Sequence, residues 1–95
     1  SMAVATSPDL QVTRLETINE LLKNKKKILV THLMGYLRYL PTKENYQNKR
    51  LEEFLVKKLP KEYLNELLKK LIDMTYERNQ IDFQTLVHNK YLDKV

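Results

Sequence analysis

The two histidines and one adjacent pair of acids are the residues with which this chain could carry out acid–base or metal chemistry. His32 lies in a leucine-rich stretch and His88 lies near the C-terminus. A lone histidine in such a stretch is usually packed or half-exposed, and these two have no metal-ligand spacing. Glu52 and Glu53 would point about 100° apart on a helix rather than converge. We therefore predict no catalytic site, no metal site and no cofactor.

Composition excludes several further kinds of chemistry. The 95 residues include no cysteine and one glycine. The sequence therefore offers no thiol nucleophile, no disulfide and no glycine-rich phosphate loop, which suits the cytosol or the nucleus. No apolar run approaches the roughly 18 residues of a membrane-spanning helix. We expect a single domain with neither a membrane segment nor a small-molecule substrate.

Lysine clusters are the main polar feature of the sequence. The chain carries 17 basic and 12 acidic residues, a net charge of +5. The clusters are residues 23–27, then Lys57, Lys58 and Lys61 around Pro60, then Lys69 and Lys70. Because Glu53 precedes Lys57 by four positions and Glu66 precedes Lys70 by four, a solvated helix face with ion pairs explains much of this charge. Attraction of phosphates or acidic peptides is the alternative.

The sequence does not indicate reading of a nucleic-acid sequence. Arginine, the better reader of base edges, occurs only at positions 14, 38, 50 and 78. The tyrosines that could stack on bases are Tyr36, Tyr39, Tyr46 and Tyr63, and at least two of them lie on predicted core stripes. Non-specific binding of DNA or RNA through residues 23–27 and 57–61 stays open as an alternative function.

Apolar spacing predicts the helices that position these clusters. The stripes are Leu15, Ile18, Leu21 and Leu22; Leu29, Leu33, Tyr36, Leu37 and Leu40; Leu51, Phe54, Leu55 and Leu59; and Leu64, Leu67, Leu68, Leu71 and Ile72. Met74 and Tyr76 could extend the last one. One glycine and three prolines argue against a protein of many β-hairpins. We predict an all-α, compact bundle of about five helices, with a sixth, C-terminal helix as an option.

Capping residues and prolines suggest where these elements begin and end. The first helix starts either at Pro8-Asp9 or at the capping-box spacing from Thr13 to Glu16, and the lysines at 23–27 end it. Pro41 ends the second helix, and Thr42 is a natural N-cap for a short helix or turn up to residue 48. Pro60 separates the next two helices.

These signals divide the chain into three parts. Residues 1–9 are expected to be disordered, with Ser1-Met2 as an expression remnant. Residues 10–76 form the bundle. Residues 77–95 are an extension that either docks as a helix, with Asp82 as N-cap, or stays mobile. Gly35 in the second helix either allows a close helix crossing or serves no purpose.

With the helices laid out, much of the chain resembles a known domain. It is similar to the N-terminal domain of transcription elongation factor S-II, also found in elongin A and a Mediator subunit, and to the integrase-binding domain of a chromatin-tethering factor. The resemblance covers roughly residues 10–76. It rests on Leu40-Pro41-Thr42-Lys43-Glu44, Arg50-Leu51, Phe54-Leu55, Lys57-Lys58, Leu64, Leu67 and Lys69-Lys70-Leu71-Ile72.

This resemblance implies a non-enzymatic docking module of the nucleus, active in transcription elongation or chromatin. Such domains are right-handed helical bundles that bind short acidic and aromatic motifs in disordered nuclear proteins. In the integrase-binding relative, the turns joining the first two and the last two helices make the contacts. Carried over by position, the partner-binding residues are Lys25, Lys26, Lys27, Ile28, Lys58, Leu59, Lys61 and Tyr63.

Ordinary explanations exist for each of these residues. Ile28, Leu59 and Tyr63 could simply pack in the core, and the lysines could simply be solvated. The leading hypothesis is a monomeric protein-interaction domain in which lysines meet carboxylates and apolar atoms meet an aromatic ring. The rivals are the nucleic-acid binder named above and a structural or oligomeric bundle in which residues 81–92 pack onto a partner chain.

Overall fold

Helices make up every regular element of the computed structural model, which describes residues 7–23, 25–40, 49–77 and 82–91. In chain order they are α1 (Pro8–Leu21), α2 (Lys26–Leu37), α3 (Lys49–Glu53), α4 (Lys61–Tyr76) and α5 (Phe83–Tyr91). A π-helical turn, Phe54–Lys58, continues α3. The predicted all-α class is confirmed. The predicted short helix after Pro41 lies outside the described residues.

The first helix begins at Pro8, the earlier of the two starts that the sequence left open. Ser7 is its N-cap, and the Ser7 hydroxyl accepts a hydrogen bond from the Leu10 N–H at 3.3 Å. Proline suits the first helical position because its φ is already helical and its missing N–H has no partner there anyway. Thr13 is not a cap: its hydroxyl donates to the Asp9 carbonyl within the helix at 3.1 Å.

The buried stripe of α1 also starts earlier than predicted. Val12 and Leu15 are buried in the core and Ile18 packs against it. Leu21, predicted to be in the core, is 77% exposed. Because nine residues make two and a half helical turns, Leu21 lies on the side of α1 opposite Val12.

Apolar side chains of α2 and α4 supply most of the core. The buried residues are Leu29, Val30, Leu33, Met34, Tyr36 and Leu37 from α2 and Leu64, Leu67, Leu68, Leu71 and Ile72 from α4. The α4 set is the stripe predicted from the sequence. Tyr76, expected to extend it, is 55% exposed. Among the described residues, none of the buried side chains is charged.

One polar link joins α2 to α4 at the edge of this core. The Tyr36 hydroxyl donates to the Thr75 hydroxyl at 2.9 Å, and the Thr75 hydroxyl donates to the Leu71 carbonyl at 2.9 Å. Burial is the main cause that raises the pKa of Tyr36 above its ordinary value. The phenol is therefore held neutral, as a hydrogen-bond donor to α4.

The last helix is docked rather than loose. The Asp82 carboxylate accepts the Thr85 N–H at 3.0 Å, the N-cap contact expected from the sequence. Phe83, Val87 and Tyr91 then occupy one face of α5 at four-residue spacing, and all three are buried. Tyr91 packs against Tyr63 of α4 with ring centroids 5.8 Å apart.

The assembled chain has the size of one folded domain. Its radius of gyration is 12.8 Å, close to the roughly 12–13 Å expected for a folded chain of this length. No helix in the described ranges is long and apolar enough to cross a membrane.

Gly35 has no packing role within the fold. A methyl group placed on its α-carbon would meet no atom within 4 Å, so the close helix crossing considered from the sequence is wrong. The glycine still carries the usual backbone cost of a helix interior.

Replacing Gly35 with alanine should therefore stabilise the protein. We expect Gly35→Ala to raise the free energy of unfolding by up to about 1 kcal/mol, measured by urea denaturation. A loss of stability would mean that a neighbouring group does approach the α-carbon.

Tyr91 provides a second test, of how α5 docks. Its hydroxyl is buried and has no hydrogen-bond partner among the described residues. Burial, with a smaller contribution from Glu66, raises the pKa of Tyr91 above its ordinary value near 10. Above pH 10 the unfolded chain loses this proton first, so stability falls as pH rises.

Tyr91→Phe should keep or slightly increase stability at neutral pH, by up to about 1 kcal/mol, because no hydrogen bond is lost. It should also reduce the alkaline loss of stability, leaving the part due to Tyr36. Urea denaturation at neutral and alkaline pH measures both effects. An alkaline loss identical to that of the natural chain would refute the assignment to Tyr91.

Candidate functional site

The lysine cluster after α1 is divided between two different environments. Lys23, in the turn after α1, pairs with Glu20 in the last turn of that helix at 3.2 Å. Lys25, Lys26 and Lys27 instead begin α2, where the first turn has no acidic residue and no side-chain cap. The backbone N–H groups at a helix start carry partial positive charge, so the lysines and the helix dipole attract anions to the same place.

Lys26 brings the two predicted turns together. Its ammonium group donates a hydrogen bond to the carbonyl oxygen of Leu59, 33 positions away in the sequence. Burial lowers the pKa of Lys26 below its ordinary value. Lys26 therefore acts as a structural link between the start of α2 and the turn before α4.

The side chains around this link have different exposures. Ile28 is 43% exposed, so it does not simply fill the core. Lys25, Lys27 and Lys58 are exposed, and Lys61 is half-buried. Tyr63 is half-buried against the core and against Tyr91. We call this set the junction surface: Lys25, Lys27, Ile28, Lys58, Lys61 and Tyr63.

Leu59 does not belong to the junction surface. It was expected to touch a partner, but its side chain is fully buried in the core and only its carbonyl is used, by Lys26. The reason is the backbone: Leu59 adopts an extended conformation after the π-helical turn, which directs the side chain inward before Pro60 starts α4.

The π-helical turn also changes the charge pairing predicted from the sequence. The Leu59 N–H bonds to the Phe54 carbonyl at 3.0 Å, a five-residue step instead of the four-residue step of an α-helix. Residues four apart no longer align in this turn, and Glu53 forms no ion pair with Lys57. Within the described part of α4, Glu66 and Lys70 also form none. The expected ion-paired helix faces are wrong at both places.

Both histidines lie at the surface of the described chain. His32 and His88 are both exposed, on α2 and α5. No group of three metal-ligating side chains occurs in the ranges that the structure describes.

A groove between α1 and α2 was not foreseen from the sequence. It has a volume of about 570 Å³ and is lined by Arg14 from α1 and by His32, Gly35, Arg38 and Tyr39 from α2 and the turn after it. Ile28, His32 and Gly35 are spaced by four and three residues, so they follow one face of α2, and Tyr39 comes next in the turn after the helix. This spacing, around the only glycine of the chain, was the feature of the sequence from which the groove could have been predicted.

The link between the two turns can be tested by removing its donor. Lys26→Met keeps most of the side-chain length but cannot donate to Leu59. We expect a loss of about 1 kcal/mol in the free energy of unfolding, because a partly buried carbonyl loses its partner. The control Lys27→Met should change stability by less than about 0.5 kcal/mol. Equal effects of the two substitutions would contradict the structural role of Lys26.

Comparisons with known proteins do not assign this chain to a family. No protein-family model matches the sequence, and neither a curated protein nor a solved structure matches the chain.

Proposed function

We propose that this protein is a non-enzymatic docking domain that binds short acidic motifs with an aromatic residue, presented by disordered partner proteins. The junction surface is the binding site. The observation that carries this proposal is the contact of Lys26 with Leu59, because it holds two basic and apolar segments, far apart in sequence, next to each other.

The electrostatics of the junction surface favour an acidic ligand. Lys25 and Lys27 stand at the uncapped, positively polarised start of α2. Lys58 is exposed at the end of the π-helical turn. Within the described ranges, none of these three lysines forms an ion pair. Carboxylates of a partner would find cations that the protein does not already neutralise.

Apolar groups between the lysines give the surface a place for an aromatic ring. Ile28 leaves 43% of its area in solvent, and the half-buried Tyr63 contacts the ring of Tyr91. A disordered motif that places its ring on these atoms would bury apolar area, while its carboxylates meet the lysines.

The resemblance to the elongation-factor domain supports this assignment. It places partner contacts at the same two turns, and it implies disordered nuclear proteins of transcription elongation or chromatin as partners. We propose accordingly that the protein acts as a monomer in the nucleus. The apolar face of α5 is used within the chain through Phe83, Val87 and Tyr91, so it gives no reason to propose an oligomer.

A peptide titration tests the proposal. The ligand is an unstructured peptide rich in aspartate and glutamate with one central phenylalanine, followed by backbone amide NMR shifts. We expect shifts concentrated at residues 25–28 and 58–63. Ile28→Ala should weaken binding roughly fivefold through lost apolar contact.

Matched variants separate this site from general attraction to a basic protein. Lys27→Glu and Lys58→Glu should each weaken binding more than Lys70→Glu, which changes the charge equally on the exposed side of α4. Shifts absent from both turns would refute the site. Unchanged affinity of a peptide with serine in place of phenylalanine would refute the aromatic part of the proposal.

A further inference from the structure

The groove between α1 and α2 has a cationic lining. Arg14 comes from α1, and His32 and Arg38 come from α2 and its C-terminal end, while none of the described residues that line the groove is an aspartate or glutamate. Neither arginine side chain forms an ion pair or hydrogen bond with a described residue. The groove thus collects two of the four arginines of the chain, from positions 14 and 38, and no described carboxylate pairs with either.

Gly35 leaves backbone exposed in the groove wall. A glycine in a helix interior lowers stability relative to alanine. Packing does not require Gly35, because an added methyl group would have no neighbour within 4 Å. The space that a side chain would fill is open groove. A ligand can therefore approach the helix backbone at this point, and nowhere else on α2 is there a residue without a side chain.

Tyr39 adds an aromatic face beside this opening. It lies in the turn after α2, lines the same groove as Gly35, and is 54% exposed. Tyr36, the other groove tyrosine, is buried and its hydroxyl is bonded to Thr75. Tyr39 is therefore the ring that a ligand in the groove can stack on.

From this arrangement we propose that the groove binds a segment of single-stranded nucleic acid. Backbone phosphates contact Arg14 and Arg38, one base stacks on Tyr39, and the bare backbone of Gly35 makes room for it. Cations alone would suit an acidic peptide equally. The exposed ring next to an open helix backbone favours a planar base, since single strands are bound by positive grooves with stacking aromatics.

This site is separate from the junction surface in its residues and in its ligand. It also differs from the lysine clusters, which the sequence indicated as the phosphate-binding segments. The interaction is expected to be independent of base sequence, because stacking accepts any base.

The test is fluorescence anisotropy of a short labelled oligouridylate with the full chain, at several salt concentrations. We expect affinity to fall with salt, with a log–log slope of about −0.7 for each phosphate contact. Arg14→Gln and Arg38→Gln should each make the slope shallower by about 0.7. Lys69→Gln removes the same charge at an exposed position of α4, outside the groove, and should leave the slope unchanged.

Two further positions test the stacking geometry. Gly35→Leu fills the groove with a good helix former and should weaken binding roughly tenfold, while urea denaturation shows an intact fold. Tyr39→Phe should retain binding, and Tyr39→Leu should lose roughly tenfold.

Three results would overturn the proposal. The first is no binding of the oligonucleotide at low salt, and the second is an equal loss for Lys69→Gln and the arginine variants. The third is stronger binding of an acidic peptide than of the oligonucleotide, abolished by Gly35→Leu, which would assign the groove to peptides. Because Gly35→Leu leaves the junction surface intact, none of these results decides the peptide titration at Ile28.

Discussion

The rest of the molecule depends on one constraint: the core accepts no charged side chain. In the described chain the buried positions are filled by leucine, other apolar residues and two tyrosines. A protein with 29 charged residues among 95 must then place all of its lysines at surfaces and helix ends. This explains why the basic residues concentrate where one helix stops and the next begins, and why the junctions rather than an interior cavity offer binding groups.

Sequence patterns predicted those parts of the fold that depend on local spacing. The stripe of α4, from Leu64 to Ile72, and the Asp82 cap could be read directly, because helical periodicity and capping involve neighbours in the chain. Leu21 was wrongly assigned to the stripe of α1, because the six-residue step from the buried Leu15 turns it about 120° away from that residue. For Leu59 the sequence left core packing and partner contact open, and its burial comes after a π-helical turn that no local motif specifies.

The candidate sites differ in the same way. The two turns of the junction surface were named from the sequence, but only the structure shows that Lys26 connects them through Leu59. The groove escaped prediction because it combines residues of two helices: Arg14 and Arg38 are far apart in the chain and each looks like an ordinary surface residue. Gly35 was noticed, and its meaning changed once the space around it was known to be empty.

The π-helical turn at Phe54–Lys58 sets the rotational phase of the residues that continue α3 as far as Leu59. A π turn holds one residue more than an α turn, so removing one residue here would let α3 continue as a regular helix. Such a deletion would bring the lysines back to carboxylate-pairing distance along the helix and rotate Leu59 by about 100°. The extra residue thus changes which side chains share a face of the helix. Lys57 no longer aligns with Glu53, and the Leu59 carbonyl accepts the hydrogen bond from Lys26.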